Sequence, residues 1–183
     1  MSLRSLLVRS ALPPQARGRL LGELEELTAW ALGAPPPAAT AEPFRSRLQR
    51  YARTTAAQAE ALAGRDDLWE QAAASASLRA GAFELGAKAR RLLHIRGERA
   101  AVETLCAFYH HIGIEAQCAG RAELEVTSCL FAGTFSSATC RLIAALDDGF
   151  AAGLAGGGHL VFSARITEGS ACCRARLQRE GVS

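Results

Sequence analysis

The apolar positions in the first half of the chain recur at helical spacing. Leu20, Leu21, Leu24, Leu27 and Ala31 mark one stripe, with Trp30 beside it. Ala34–Pro37 should end that helix, because a proline run lacks the N–H groups a helix needs. A second helix is predicted after Pro43, with Phe44, Leu48, Tyr51, Thr55 and Leu62 on or near one side. A third should follow Asp66 and Asp67, whose charge suits a helix N-terminus, and run through Leu68, Trp69, Ala72, Ala73 and Ala76. The alanine-rich stretch Gln71–Ala82 combines high helix propensity with little bulk, which predicts close packing against another element.

Near Lys88 the periodicity changes. Leu92, Leu93 and Ile95 predict a strand over Arg90–Arg96, which Gly97 breaks. Val102, Leu105, Cys106, Tyr109 and Ile112 then predict a helix over Glu98–Ile112, closed by Gly113. Ile114–Cys118 and Glu123–Cys129 read as strands; in the second, Leu124, Val126 and Ser128 point one way and Glu123, Glu125 and Thr127 the other. Ser136 and Ser137 are N-cap candidates for a helix through Leu142, Ile143, Leu146, Phe150 and Leu154. After Gly156–Gly158, His159–Thr167 and Ala171–Leu177 predict two more strands around the turn Glu168–Ser170. The expected class is α+β: a helical N-terminal region (1–87), then a cysteine-bearing split βαββαββ module (88–183) whose antiparallel sheet is covered by helices on one side.

Composition narrows the function classes. Of 183 residues, 49% are apolar and 21% charged, which fits a folded core rather than disorder. A net charge of +3 with scattered arginines gives no phosphate footprint, so no nucleic-acid partner is expected. No apolar run is long enough to span a bilayer. Leu6, Leu7 and Val8 between Arg4 and Arg9 form too short an apolar core for a signal peptide, so a cytoplasmic protein with reduced thiols is expected. All six cysteines fall in the second half, which directs attention to thiol chemistry there.

Cys129 closes a predicted strand and Cys140 lies in the first turn of the next helix, where a helix N-terminus favours a thiolate. Cys172 and Cys173 are neighbours on one strand, so at most one reaches the same side. Ordinary packing accounts equally for single buried cysteines, and Cys106 on its helix stripe reads as core. His110 and His111 suit a helix C-terminus or the surface; His111 is also a candidate for proton exchange near neutral pH. Asp147 follows Cys140 by seven residues, on roughly the same helical face, and is a candidate to orient water. A solvated helix face is the plain alternative for Asp147 and Asp148. Arg165, Glu168 and Arg174 could pair across the last hairpin. Gly156–Gly158 has neither a following helix nor a lysine, so no phosphate loop is expected.

Cys129-Leu-Phe-Ala, Cys140, Asp147, Arg165-Ile-Thr-Glu-Gly169 and Cys173-Arg-Ala-Arg-Leu177 together resemble the end of the L-2-amino-thiazoline-4-carboxylic acid hydrolase-like family. They are also similar to the V4R (4-vinyl reductase) domain, and more weakly to the carotene-isomerase family of the strigolactone pathway. The resemblance covers about Glu123–Leu177; the Cys129–Cys140 interval is compressed against the hydrolase pattern, and Cys172–Cys173 is doubled. It implies a hydrolase-like enzyme acting on a small heterocyclic or amide compound. Cys129, Cys140 and Cys173 would be metal ligands for zinc or iron, an iron–sulfur cluster included, and Asp147 the acidic group. The V4R likeness implies instead a non-catalytic sensor that encloses a small-molecule ligand. A third expectation is a helper subunit or homodimer that docks through its N-terminal helices, for which exposed Trp30 and Trp69 would be the signature.

Overall fold

The computed structural model describes residues 13–38, 42–65 and 67–179. Asp66, and the Arg4–Arg9 segment weighed above as a signal peptide, lie outside the described residues. Four helices come first: α1 (Pro14–Ala31), α2 (Phe44–Ala63), α3 (Leu68–Leu92) and α4 (Glu98–His111). A hairpin of β1 (Ile114–Cys118) and β2 (Glu123–Cys129) leads through a short 3-10 turn, Leu130–Gly133, to α5 (Ser137–Ala155). A second hairpin, β3 (His159–Ala164) and β4 (Cys173–Gln178), completes the fold. The class is α+β, with one antiparallel four-stranded sheet in the order β1-β2-β4-β3. Among the described residues no helix is long and apolar enough to cross a membrane.

Local chemistry explains the helix limits. Asp67 Oδ1 accepts the N–H groups of Trp69 and Glu70, capping α3. Ser136 Oγ accepts the Thr139 N–H and caps α5, which Gly156 ends in the left-handed conformation.

The strand expected over Arg90–Arg96 does not form. α3 continues to Leu92 and closes with the Ile95 N–H donated to the Arg90 carbonyl and the His94 N–H to that of Arg91. His94 stands at φ 49°, the left-handed position of this helix ending. Three apolar residues were a weak strand signal, and only Ile95 of them is fully buried, while Leu92 is exposed. The module is therefore two consecutive helix–hairpin units, α4-β1-β2 and α5-β3-β4, and not βαββαββ.

One hydrophobic cluster joins Leu21, Leu48 and Tyr51 of the first helices to Leu105, Leu124, Leu154, Leu160 and Leu177. The alanine-rich α3 packs along α5 at a separation only glycine permits. A side chain at Gly86 would fall on the Phe150 carbonyl, and one at Gly149 or Gly153 on the carbonyl of Arg79 or Phe83.

Polar ties hold the same elements. Asp148 accepts from Arg79 Nε of α3 (2.7 Å) and from the Leu160 N–H of β3 (2.7 Å). Buried Glu25 accepts from Arg47, pinning α1 to α2. Trp30 and Trp69 stand out in solvent, 73% and 87% exposed. Of the expected pairs in the last hairpin none forms: Arg174 bonds Glu125 on β2, Glu168 bonds Arg141, and Arg165 lies over the Phe162 ring.

Candidate functional site

α4 and α5 diverge around a cavity of about 140 Å³, roofed by α1, α2 and α3 and floored by β1, β2 and the 3-10 turn. Each wall is explained by periodicity. On α5, Cys140, Ile143, Ala144, Asp147 and Phe150 recur at three- and four-residue steps and face inward together. On α4, Leu105, Phe108, Tyr109 and Ile112 do the same. Rings crowd the space: Phe108 meets Phe150 edge-on at 5.1 Å, Phe131 stacks on Phe135 at 5.3 Å, and Tyr51 meets Phe131 edge-on at 6.1 Å.

Asp147 is the carboxylate in this lining. The surface it retains opens into the cavity, so the solvated helix face is not what forms. Tyr109 Oη donates to Asp147 Oδ1 at 2.7 Å. Removal from bulk water pushes the Asp147 carboxyl up to about 6, further raised by Asp148 and opposed by the Tyr109 hydrogen bond and by Arg165. Burial and the facing carboxylate push the Tyr109 phenol well above its ordinary range, so Tyr109 stays the donor. Tyr51, pushed to about 12 mainly by burial, bonds Thr28 Oγ1 instead (2.9 Å).

Cys129 and Cys140 also line the cavity. Burial raises the Cys129 thiol to about 11; the N–H groups of Phe131 and Ala132 act against this, while Asp147 and Cys173 add to it. Cys173 accepts the Ile166 N–H at 3.3 Å and lies within electrostatic range of Cys129, Cys140 and Asp147. Its thiol too is raised, first by burial. Cys172 faces the opposite side of the sheet, where its thiol lies 3.7 Å from Glu125 Oε2. The fold thus brings Cys129, Cys140, Cys173 and Asp147 into one neighbourhood. His111 is buried but stands outside the cavity lining, and His110 is exposed beside Glu115. Among the described residues no three His, Cys, Asp or Glu side chains are grouped so that they could hold a metal ion.

A thiol raised to about 11 is only about a thousandth ionised near pH 8. Alkylation of the native protein by iodoacetamide should therefore modify Cys129 at least about thirtyfold more slowly than free glutathione. Peptide mapping by mass spectrometry reads this rate; labelling as fast as glutathione would show an accessible thiolate.

The sequence placed Tyr109, Tyr51 and Phe150 on helix stripes and Arg165 in the last hairpin, but assigned none of them to the site. A signal for Asp147 existed: it lies four residues after Ile143 and three before Phe150, a carboxylate on the apolar stripe of its helix. Nothing local pairs it with Tyr109, 38 residues away. No protein-family model matches the chain, and no curated protein or solved structure matches it either.

Proposed function

We propose that the chain is a small-molecule-binding protein whose ligand occupies the cavity between α4 and α5. One observation carries this reading: an apolar, ring-lined space inside the helical layer has a carboxylate and its tyrosine partner at its wall. Pockets for small organic molecules share this make-up, apolar walls with a few polar groups that orient the occupant. At about 140 Å³ the space suits an occupant of about one ring, since apolar cavities of roughly 150 Å³ take up benzene. The reading agrees with the sensor role that the V4R likeness implies.

Turnover is the second reading, and the Asp147 carboxyl near 6 favours it, since a group poised there exchanges protons efficiently at neutral pH. In that case Asp147 acts as base toward water or substrate, held in place by Tyr109. Cys129 remains a protonated thiol and serves as wall. The exposed Trp30 and Trp69 favour, separately, a protein partner on the N-terminal helices.

Toluene tests the binding reading. It should raise the Tm of the purified protein progressively, with the logarithm of its concentration once that exceeds Kd, because a ligand that binds only the folded state stabilises it. Ala144→Leu, which fills the space from α5, should abolish the shift. A Tm indifferent to toluene in the unmodified protein would remove the reading.

A further inference from the structure

Six aromatic rings line the cavity: Tyr51, Phe108, Tyr109, Phe131, Phe135 and Phe150. Ring faces carry partial negative charge and attract cations. Asp147 shares this lining, and Tyr109 Oη engages its Oδ1. Among the described residues no donor reaches Oδ2. The nearby cation is Arg165, and it makes no hydrogen bond to Asp147; its guanidinium lies over the Phe162 ring, 4.7 Å from the centroid. With no protein donor on it, Oδ2 is the oxygen open to a charged donor carried by an occupant of the cavity.

We infer that the ligand is a small amine of about one ring, bound as its ammonium ion, with the charged nitrogen on Asp147 Oδ2 and the apolar body among the surrounding rings. The inference rests on the binding reading above and adds the chemical class of the occupant. A carboxylate or phosphate ligand is disfavoured, because its charge would meet that of Asp147. A neutral hydrocarbon fits the walls but leaves Oδ2 unsatisfied.

The groups around Asp147 decide how binding depends on pH. Tyr109 of α4, Tyr51 of α2, Cys129 of β2 and Cys173 of β4 face it with raised pKa values, so all four stay neutral through the neutral range. Arg165 and Asp148, the residue after Asp147 on α5, are the other charged groups that act on it, the first lowering and the second raising its pKa. Asp147 is then the group whose charge changes near pH 6, and ammonium binding should weaken as the medium is acidified through that value.

Benzylamine and toluene, which share a ring and differ by the amino group, test the inference by calorimetric titration. Benzylamine should bind at least tenfold more tightly than toluene near pH 7.5. Its advantage should shrink severalfold near pH 5, while toluene binding stays constant. In Asp147→Asn the two should bind alike. The pH series on the unmodified protein keeps the test decisive should that variant fail to fold. Toluene binding as tight as benzylamine near pH 7.5 would overturn the amine inference and leave the cavity reading intact. Binding of neither would overturn both.

Discussion

Gly153→Val is expected to lower the stability of the folded chain by at least about 3 kcal/mol, and Gly149→Val by a similar amount. Both glycines lie on the face of α5 that meets α3, four residues apart, and each leaves room for a carbonyl of α3, that of Phe83 or Arg79. The obstacle is backbone, which cannot rotate away as a side chain would. Relief requires the two helices to separate, which opens the layer that packs above the cavity. Helix propensity acts the other way, favouring most residues over glycine by up to about 1 kcal/mol inside a helix. Gly18 in α1 isolates that effect, because a side chain there meets nothing within 4 Å. Gly18→Ala should therefore stabilise by about 0.5–1 kcal/mol. Urea denaturation with unchanged m-values reads all three variants. A Gly153→Val protein as stable as the parent would mean that α3 and α5 do not touch through their backbones.

Asp147→Asn should stabilise the protein by about 2–3 kcal/mol near pH 7.5 and change little near pH 4. The folded-state carboxyl titrates at about 6 against an ordinary 3.8, so folding favours the protonated form. That contribution is fully present below about pH 4 and is lost as pH rises through about 6. The neutral amide keeps an acceptor for Tyr109 Oη and removes the charge that opposes folding above pH 6. Urea midpoints of parent and variant at the two pH values read the difference, and other titrating groups cancel between them. A destabilisation equal at both pH values would mean that the carboxylate is already satisfied within the fold. A destabilising charge retained at a cavity wall is the pattern expected where function opposes stability.

The helices were largely legible in the sequence because caps and apolar stripes are local features. Asp67, Ser136, Gly113 and Gly156 mark boundaries through hydrogen bonds and left-handed turns formed within a few residues. The strands after Gly113 were legible for the same reason: Leu124 and Val126 alternate with polar neighbours and are buried, as period two requires. Arg90–Arg96 was misread because three apolar residues suit a strand or the end of a helix equally, and the strong helix formers before them extended α3.

By itself, then, the sequence determined the class, most elements and a short roster of thiols and carboxylates, since these depend on neighbours along the chain. Tertiary structure alone decided that Cys173 and not Cys172 faces Cys140, through the register that sets Val126 against Cys173. It also decided that Asp147 meets Tyr109 and that rings from three helices and the segment Phe131–Phe135 line one space. Those relations join residues tens of positions apart, and only the packing of whole elements brings them within reach of short-range forces.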